Sequence, residues 1–413
     1  MKKILIFVFV LLIIINLFGA DLSEVQRKRA ILRRGPGSFY KIIAELQKGT
    51  PMLIVDKEEG WLKVEVFDSL GYVSKKVLIP EPDQTDMFSK MATQDASLRI
   101  SQHGMSAGVK GFADKFIKKF DGNRDFFQKI SSMKIDPYEY KKFKKRTYKG
   151  FNKRKNFKKL ILPESIGKGY FTFSEEGIGI GIASRIASLG IYENEKIEEY
   201  LNILGNVIVE ATDAYDISFK FFILDTAKIN AYACPGGFIF ITKGLLQQIN
   251  TEAELAFVLA HEIAHVIRQH GMKELEERKQ HIMADDVFGE LDEELNEIGE
   301  TFDEETENLE LEMEEFAVET YDTIFNGRLE NYEAEADYLG LLYAARAGYD
   351  IRQVISLLNR LILVDSHSTN EHYKAENLAE RLEIIRQNPH NLRLPKKLFD
   401  HKNRWQEIRI YLN

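Results

Sequence analysis

The sequence predicts a multidomain α+β protein: a small all-β module, then a mainly helical domain that carries a small β-sheet. Three observations predict it. Short β-branched runs broken by Gly turns fill residues 21–80. The stretch Asn250–Ile267 has apolar residues nearly all the way round a helix, so it is a buried central helix. The apolar runs Phe219–Leu224 and Phe238–Thr242 flank a Pro-Gly-Gly turn and read as strands. A length of 413 residues suggests about two to three domains, and 44% apolar residues supports real cores. The net charge of -8 is modest, so nothing global points to nucleic acid.

Met1-Lys2-Lys3 and the apolar run Ile4–Phe18 read as a secretory signal, residues 1–20, with Gly19-Ala20 before the cut. This predicts a periplasmic or cell-envelope protein. Phe18 is a poor residue three before the cut, so an inner-membrane anchor at residues 4–20 is the alternative, although the run is short for a span. Contact with the membrane is expected only if that segment stays uncleaved. Cys234 is the sole cysteine, which excludes an internal disulfide and suggests a small buried residue.

Residues 21–80 form the all-β module. The strands Met52–Val55 and Leu62–Val66 are short, and Gly35-Pro36-Gly37, Lys48-Gly49, Glu59-Gly60 and Gly71 mark turns. Leu32-Arg33-x-Gly35-Pro36, Lys48-Gly49, Gly60-Trp61-x-Lys63-Val64 and Gly71-Tyr72-Val73 together resemble the bacterial SH3-like (SH3b) domain. Tyr72 stands where that family often has Trp. The resemblance implies a small barrel that docks peptides, cell-wall material or an envelope protein. Trp61 and Tyr72 are either docking or core residues.

Residues 81–165 are a connector. Pro80-Glu81-Pro82-Asp83-Gln84 is a linker, and the Met, Ala and Phe content beyond it suggests helices. Lys141–Lys159 carries eleven Lys or Arg and no acid. A solvated basic face is the plain reading, and no nucleic-acid partner is expected.

Residues 166–390 are the enzyme-like part. Ile178–Ile186 and Glu199–Gly205 read as helices. Asn230, Gly236, Gly237 and Phe238 are candidate substrate-binding residues. The strand after Gly237 is expected to present a free edge to an extended peptide, with an ordinary hairpin as the alternative.

Thr251 followed by Glu254 is a capping box, so a helix starts there, and Gly271 is a plausible stop. His261 and His265 lie one turn apart on one face. Two neutral imidazoles at that spacing can hold one zinc ion per chain, with Glu262 as the base that deprotonates water. The third ligand is sought in Arg328–Gly340. At about 100° per residue, Glu330, Glu333 and Asp337 share a face, while Glu335 points nearly opposite to Glu333. Glu333 is therefore the candidate ligand and Glu330 the fallback. Asp337 would hydrogen-bond a liganding His. Glu335 reads as a surface or helix-packing charge. Ala334 and Ala336 permit a close helix approach.

Asn230-Ala231-Tyr232-Ala233-x-Pro235-Gly236-Gly237, Glu252–His265 and Glu333-x-Glu335-Ala336-Asp337 resemble the M48 family of zinc metallopeptidases, over about Gly167–Arg386. The resemblance implies a gluzincin fold, zinc on His261, His265 and Glu333, and Glu262 as general base. It also implies protein or peptide substrates, above all misfolded or unassembled envelope proteins. The family usually has a His-Pro pair shortly before an Arg near the cleft. Here Tyr373 follows His372, and Arg381 lies farther on. His367, His372 and Arg381 are thus the candidates for an oxyanion donor or, in a resting state, a cap on the zinc.

Residues 280–327 form an acidic insertion without Lys or Arg. It is either a solvated loop or a lid docked on the basic run, and deleting 285–322 is expected to raise cleavage if it is a lid. Residues 391–413 read as a C-terminal tail. A zinc endopeptidase is the reading that joins these features. The alternative is a latent or inactive metalloprotein acting as a chaperone-like or SH3-mediated binding protein.

Overall fold

The computed structural model describes residues 21–27, 29–80, 117–120, 122–162, 173–271, 273, 317–325, 330–364, 375–391 and 394–412. The leader at 1–20, the linker after Pro80, His367, His372 and the acidic residues 280–316 lie outside the described residues. The chain divides into two compact units, the first built largely on residues 21–80.

The first unit is a six-stranded antiparallel sheet. Its strands are β1 (Asp21–Glu24), β2 (Arg29–Arg33), β3 (Ile42–Gln47), β4 (Pro51–Glu58), β5 (Trp61–Val66) and β6 (Ser69–Ser74), ordered β1-β4-β5-β6-β2-β3. Strand β5 shows why these residues form a sheet. Leu62, Val64 and Val66 are buried, while Lys63 and Glu65 point away, the period-two alternation of a half-buried strand. Bulges at Leu32/Arg33 and Ile54/Asp56 bend the strands around Leu32, Leu46, Met52 and Val73. Trp61 is buried, whereas Tyr72 is half-buried with its hydroxyl 3.2 Å from Glu58 Oε1.

The second unit is mainly helical around a three-stranded sheet, as the fold class predicts. Helices α1 (Arg124–Ser132), α2 (Pro137–Thr147) and α3 (Lys153–Phe157) precede α4 (Phe173–Ala187) and α5 (Glu195–Val209). Asn123 and Asp136 cap α1 and α2 with their side chains. The basic run lies along α2 and α3. Part of it is paired internally, since Lys144 Nζ lies 2.6 Å and Lys153 Nζ 3.6 Å from Glu210 Oε2.

The sheet comprises β7 (Lys220–Leu224), β8 (Ala231–Cys234) and β9 (Phe238–Thr242). Its order is β7-β9-β8, with β7 parallel and β8 antiparallel to β9. This corrects the expectation for the strand after Gly237. Strand β9 is central and has a hydrogen-bonded neighbour on each side, so it presents no free edge. The edges are β7 and β8. Gly236 (φ 77°) and Gly237 (φ 85°) are both left-handed, which lets the chain reverse between β8 and β9 without a Cβ clash. Cys234 is fully buried.

After α6 (Lys243–Gln248) comes α7 (Glu252–Arg268), with residues 252–266 buried throughout. Thr251 Oγ1 accepts from Glu254 N at 3.2 Å. Glu254 Oε2 reaches back to Asn250 N at 2.7 Å, one residue earlier than a standard capping box. The helix does not run on to Gly271. It stops at Arg268, because Gln269 is left-handed (φ 57°) and its N–H caps His265 O and Val266 O.

Residues 317–325 are helical, followed by α8 (Glu330–Arg346), α9 (Gln353–Val364), α10 (Ala375–Asn391) and α11 (Lys402–Arg409). The terminal stretch is more than a tail. Trp405 is fully buried and donates from Nε1 to Ile249 O at 2.8 Å. Arg404 forms a two-pronged pair with the buried Glu252 carboxylate. Tyr349 OH donates to Glu252 Oε1 at 2.7 Å, and Tyr200 OH donates to Oε2. Helix α11 therefore anchors the first turn of α7. No helix among the described residues is long and apolar enough to cross a membrane.

Candidate metal centre

Helices α7 and α8 bring the chemistry together. They cross closely at Gly340, where an added Cβ would stand 3.1 Å from the backbone of His261. A larger residue there would press the helices a few tenths of an ångström apart, and Ala336 one turn earlier is fully buried. The crossing sets Glu333 opposite His261 and His265, and all three are buried.

The three side chains converge. His261 Nε2 and His265 Nε2 are 3.0 Å apart, and each lies 3.2 Å from an oxygen of Glu333. Zinc ligands at about 2.0–2.1 Å in tetrahedral array stand roughly 3.3 Å from one another. The two nitrogens and the two Glu333 oxygens, Oε2 beside His261 and Oε1 beside His265, thus stand at nearly the spacing that one zinc ion requires. Its donors, two imidazole nitrogens and a carboxylate, are those of an open zinc site. The side chain of Glu330, the fallback ligand, lies outside the described residues.

Around this site lies a second ring of hydrogen bonds. His261 Nδ1 is 3.0 Å from Asp337 Oδ1. Asp337 is held in turn by Arg381, whose Nε and Nη2 donate at 2.8 and 2.7 Å. Arg381 Nη1 also lies 3.7 Å from Glu333 Oε2. Arg381, a candidate for the oxyanion, directs its guanidinium at the Asp337 and Glu333 carboxylates.

These contacts set the charges. Burial alone would raise the Glu333 carboxyl, but the charges and hydrogen bonds of His265 and His261 outweigh it and hold it well below the usual range. Burial alone would lower His261. Its hydrogen bonds to Asp337 and Glu333 prevail and raise it to about 9. Burial would also raise Asp337, yet Arg381 and His261 keep it low. Two ionised carboxylates thus face the two imidazoles, and a divalent cation held among these ligands could replace a proton there.

Glu262 follows His261 on the helix and is buried. It is close enough to Tyr232 of β8 to help raise that phenol, after burial, to about 12. Strand β8 packs on α7, and Tyr232 stacks on Phe325 with centroids 5.6 Å apart and rings 6° from parallel. The candidate substrate residues are divided. Asn230 sits at the Thr242 end of the hairpin, accepting from Ala231 N and donating its own N–H to Thr242 Oγ1. Gly236, Gly237 and Phe238 sit at the other end.

Nothing in the sequence pattern marked His270. It is fully buried, with Nδ1 2.9 Å from His265 Nδ1 and Nε2 2.9 Å from Glu335 Oε2. Glu335, expected as a surface or helix-packing charge, also pairs with Arg268. The hydrogen bond from His270, then Arg268, draws its carboxyl down to about 2. A histidine five residues past His265 was the available signal.

The family model for Peptidase family M48 matches residues 195–391, which contain every residue of this site. Residues 195–391 therefore resemble a peptidase family M48 domain. A bacterial SH3 domain model matches residues 28–79, which hold strands β2 to β6 of the first unit. A putative β-barrel assembly-enhancing protease of Vibrio cholerae is 29% identical over 174 residues, 40% of this chain and 33% of the relative. The β-barrel assembly-enhancing protease of Escherichia coli K12 is 32% identical over 83 residues, 20% of this chain and 17% of the relative. The human mitochondrial metalloendopeptidase OMA1 is 30% identical over 151 residues, 36% of this chain and 27% of the relative. The chain spans a third or less of the length of these curated relatives.

Proposed function

We propose that the chain is a zinc-dependent endopeptidase, with His261, His265 and Glu333 as metal ligands and Glu262 as general base. The convergence of two imidazole nitrogens and the Glu333 carboxylate, in contacts of 3.0–3.2 Å with both nitrogens turned inward, carries this reading. Zinc, when bound, supplies a Lewis acid that polarises the scissile carbonyl and makes water a stronger acid. Glu262 takes the proton of the attacking water and returns it to the leaving amine. Asp337 Oδ1, 3.0 Å from His261 Nδ1, would favour the neutral tautomer that carries its proton on Nδ1 and so leave Nε2 to the metal once it binds. Substrate backbone would lie along β8, the edge strand packed on α7, and not along β9.

The names of two relatives tie them to β-barrel assembly. Together with the signal-like residues 1–20, this supports export and unassembled envelope proteins as the substrate class. The SH3 unit would supply docking to an envelope partner, and its exposed Phe67 and Leu70 suit an apolar contact. The test is casein cleavage by the full-length protein before and after chelation. Loss on chelation and recovery with zinc are expected; cleavage that survives metal removal would defeat the proposal.

A further inference from the structure

The histidine at 270 is placed by a backbone feature. Had α7 continued, position 270 would lie about 140° around the axis from position 265. Gln269 instead turns left-handed, and the chain folds back so that His270 faces His265. A left-handed residue other than glycine costs about 1 kcal/mol or more, so the turn needs a return. The return is a buried chain of contacts. His270 Nδ1 meets His265 Nδ1 at 2.9 Å, His270 Nε2 meets Glu335 Oε2 at 2.9 Å, and Arg268 pairs with the other Glu335 oxygen. Tyr332 covers the His270 ring, with centroids 4.6 Å apart.

Ligand chemistry fixes the protons along this chain. His265 turns Nε2 toward His261 and Glu333, so a cation there leaves the proton on Nδ1. That N–H can donate only if His270 Nδ1 is bare. The His270 proton then sits on Nε2 and donates to Glu335. Each histidine has one tautomer that satisfies both of its contacts.

We propose that His270 is a positioning residue of the metal centre, fixing the ring plane and tautomer of His265 and itself held by Glu335 and Arg268. This rests on the zinc-site reading above. The arrangement matches His261–Asp337–Arg381 on the other ligand, with one difference: a neutral imidazole stands between ligand and carboxylate. Three of the four acids of α8 then have separate duties. Glu333 is a ligand, Asp337 orients His261, and Glu335 orients His270.

The test compares zinc affinity, by competition with a chromophoric chelator, and the visible spectrum of the cobalt-substituted protein. Full-length wild type, His270→Leu, His270→Asn and Glu335→Gln are measured. Leucine fills the site without an acceptor, and zinc affinity is expected to fall about ten- to a hundredfold, with an altered cobalt spectrum. Asparagine keeps an acceptor near the Nδ1 position and should recover most of that loss. Glu335→Gln, at a half-exposed position, should weaken zinc about threefold or more by loosening His270. A folded His270→Leu protein with wild-type affinity and spectrum would overturn the proposal. If His270→Leu does not fold, unchanged affinity in Glu335→Gln would overturn it equally. Wild type that binds no zinc would remove the metal-centre reading itself, a result distinct from either.

Discussion

His261 Nδ1 lies 3.0 Å from Asp337 Oδ1, and Arg381 grips the same carboxylate through two N–H groups. The ligand face of His261 is thus aimed from behind by a buried ion pair between α8 and α10. Removing Asp337 frees the ring and leaves Arg381 without its carboxylate. Asp337→Asn is expected to weaken zinc binding about ten- to a hundredfold. Arg381→Ala should also weaken it, and the double variant should lose less than the sum. Chelator competition across this cycle measures the coupling; strict additivity would show that Asp337 and Arg381 act separately.

The proton on His261 makes metal binding pH-dependent. Its pKa in the metal-free protein is raised to about 9, so at pH 7 the ring is charged and zinc must displace a proton. The sign follows: affinity should rise with pH up to about 9 and fall below it, by about tenfold per unit for one proton. Calorimetry in buffers of different ionisation enthalpy should show proton release on zinc addition. Heats that do not depend on the buffer would contradict this.

Glu335 makes an opposite kind of prediction, on folding. Its folded value of about 2 is below the ordinary 4.5, so the folded state holds fewer protons there. The stabilisation is fully present above about 4.5 and is lost as pH falls toward 2. Glu335→Gln should therefore flatten the fall in Tm over that window, while differing from wild type mainly above it. Parallel Tm curves for the two proteins would exclude the contribution.

Glu252 is fully buried and bonded by Arg404, Tyr349 and Tyr200. Arg404→Leu would strand that carboxylate and is expected to cost about 3–5 kcal/mol in urea unfolding. Replacing Glu252 and Arg404 together with apolar residues should restore much of the loss. A loss under about 1 kcal/mol would mean that α11 does not anchor α7.

The parts of the site legible in the sequence are those set by local period. His261 and His265 share a face because they are one turn apart. The same arithmetic separates Glu333 and Asp337 from Glu335. Thr251 marks the start of α7 because its cap is local. What was not legible depends on the chain turning or on distant pairing. Gln269 ends α7 without a glycine, so no residue type announced that His270 turns inward. That turn also gives Glu335 a partner that helical geometry alone could not supply. The position of β9 depends on parallel pairing with β7, across a connection that sequence spacing does not specify. Helix α11 is mostly polar, and its two buried anchors, Arg404 and Trp405, show their purpose only beside Glu252 and Ile249.

The most direct measurement is casein cleavage by full-length wild type and Glu262→Gln, with zinc content determined for both. The account predicts equal zinc and a loss of turnover of about a hundredfold or more in the variant. Cleavage that persists in a zinc-loaded Glu262→Gln protein would place the base elsewhere and contradict the central claim.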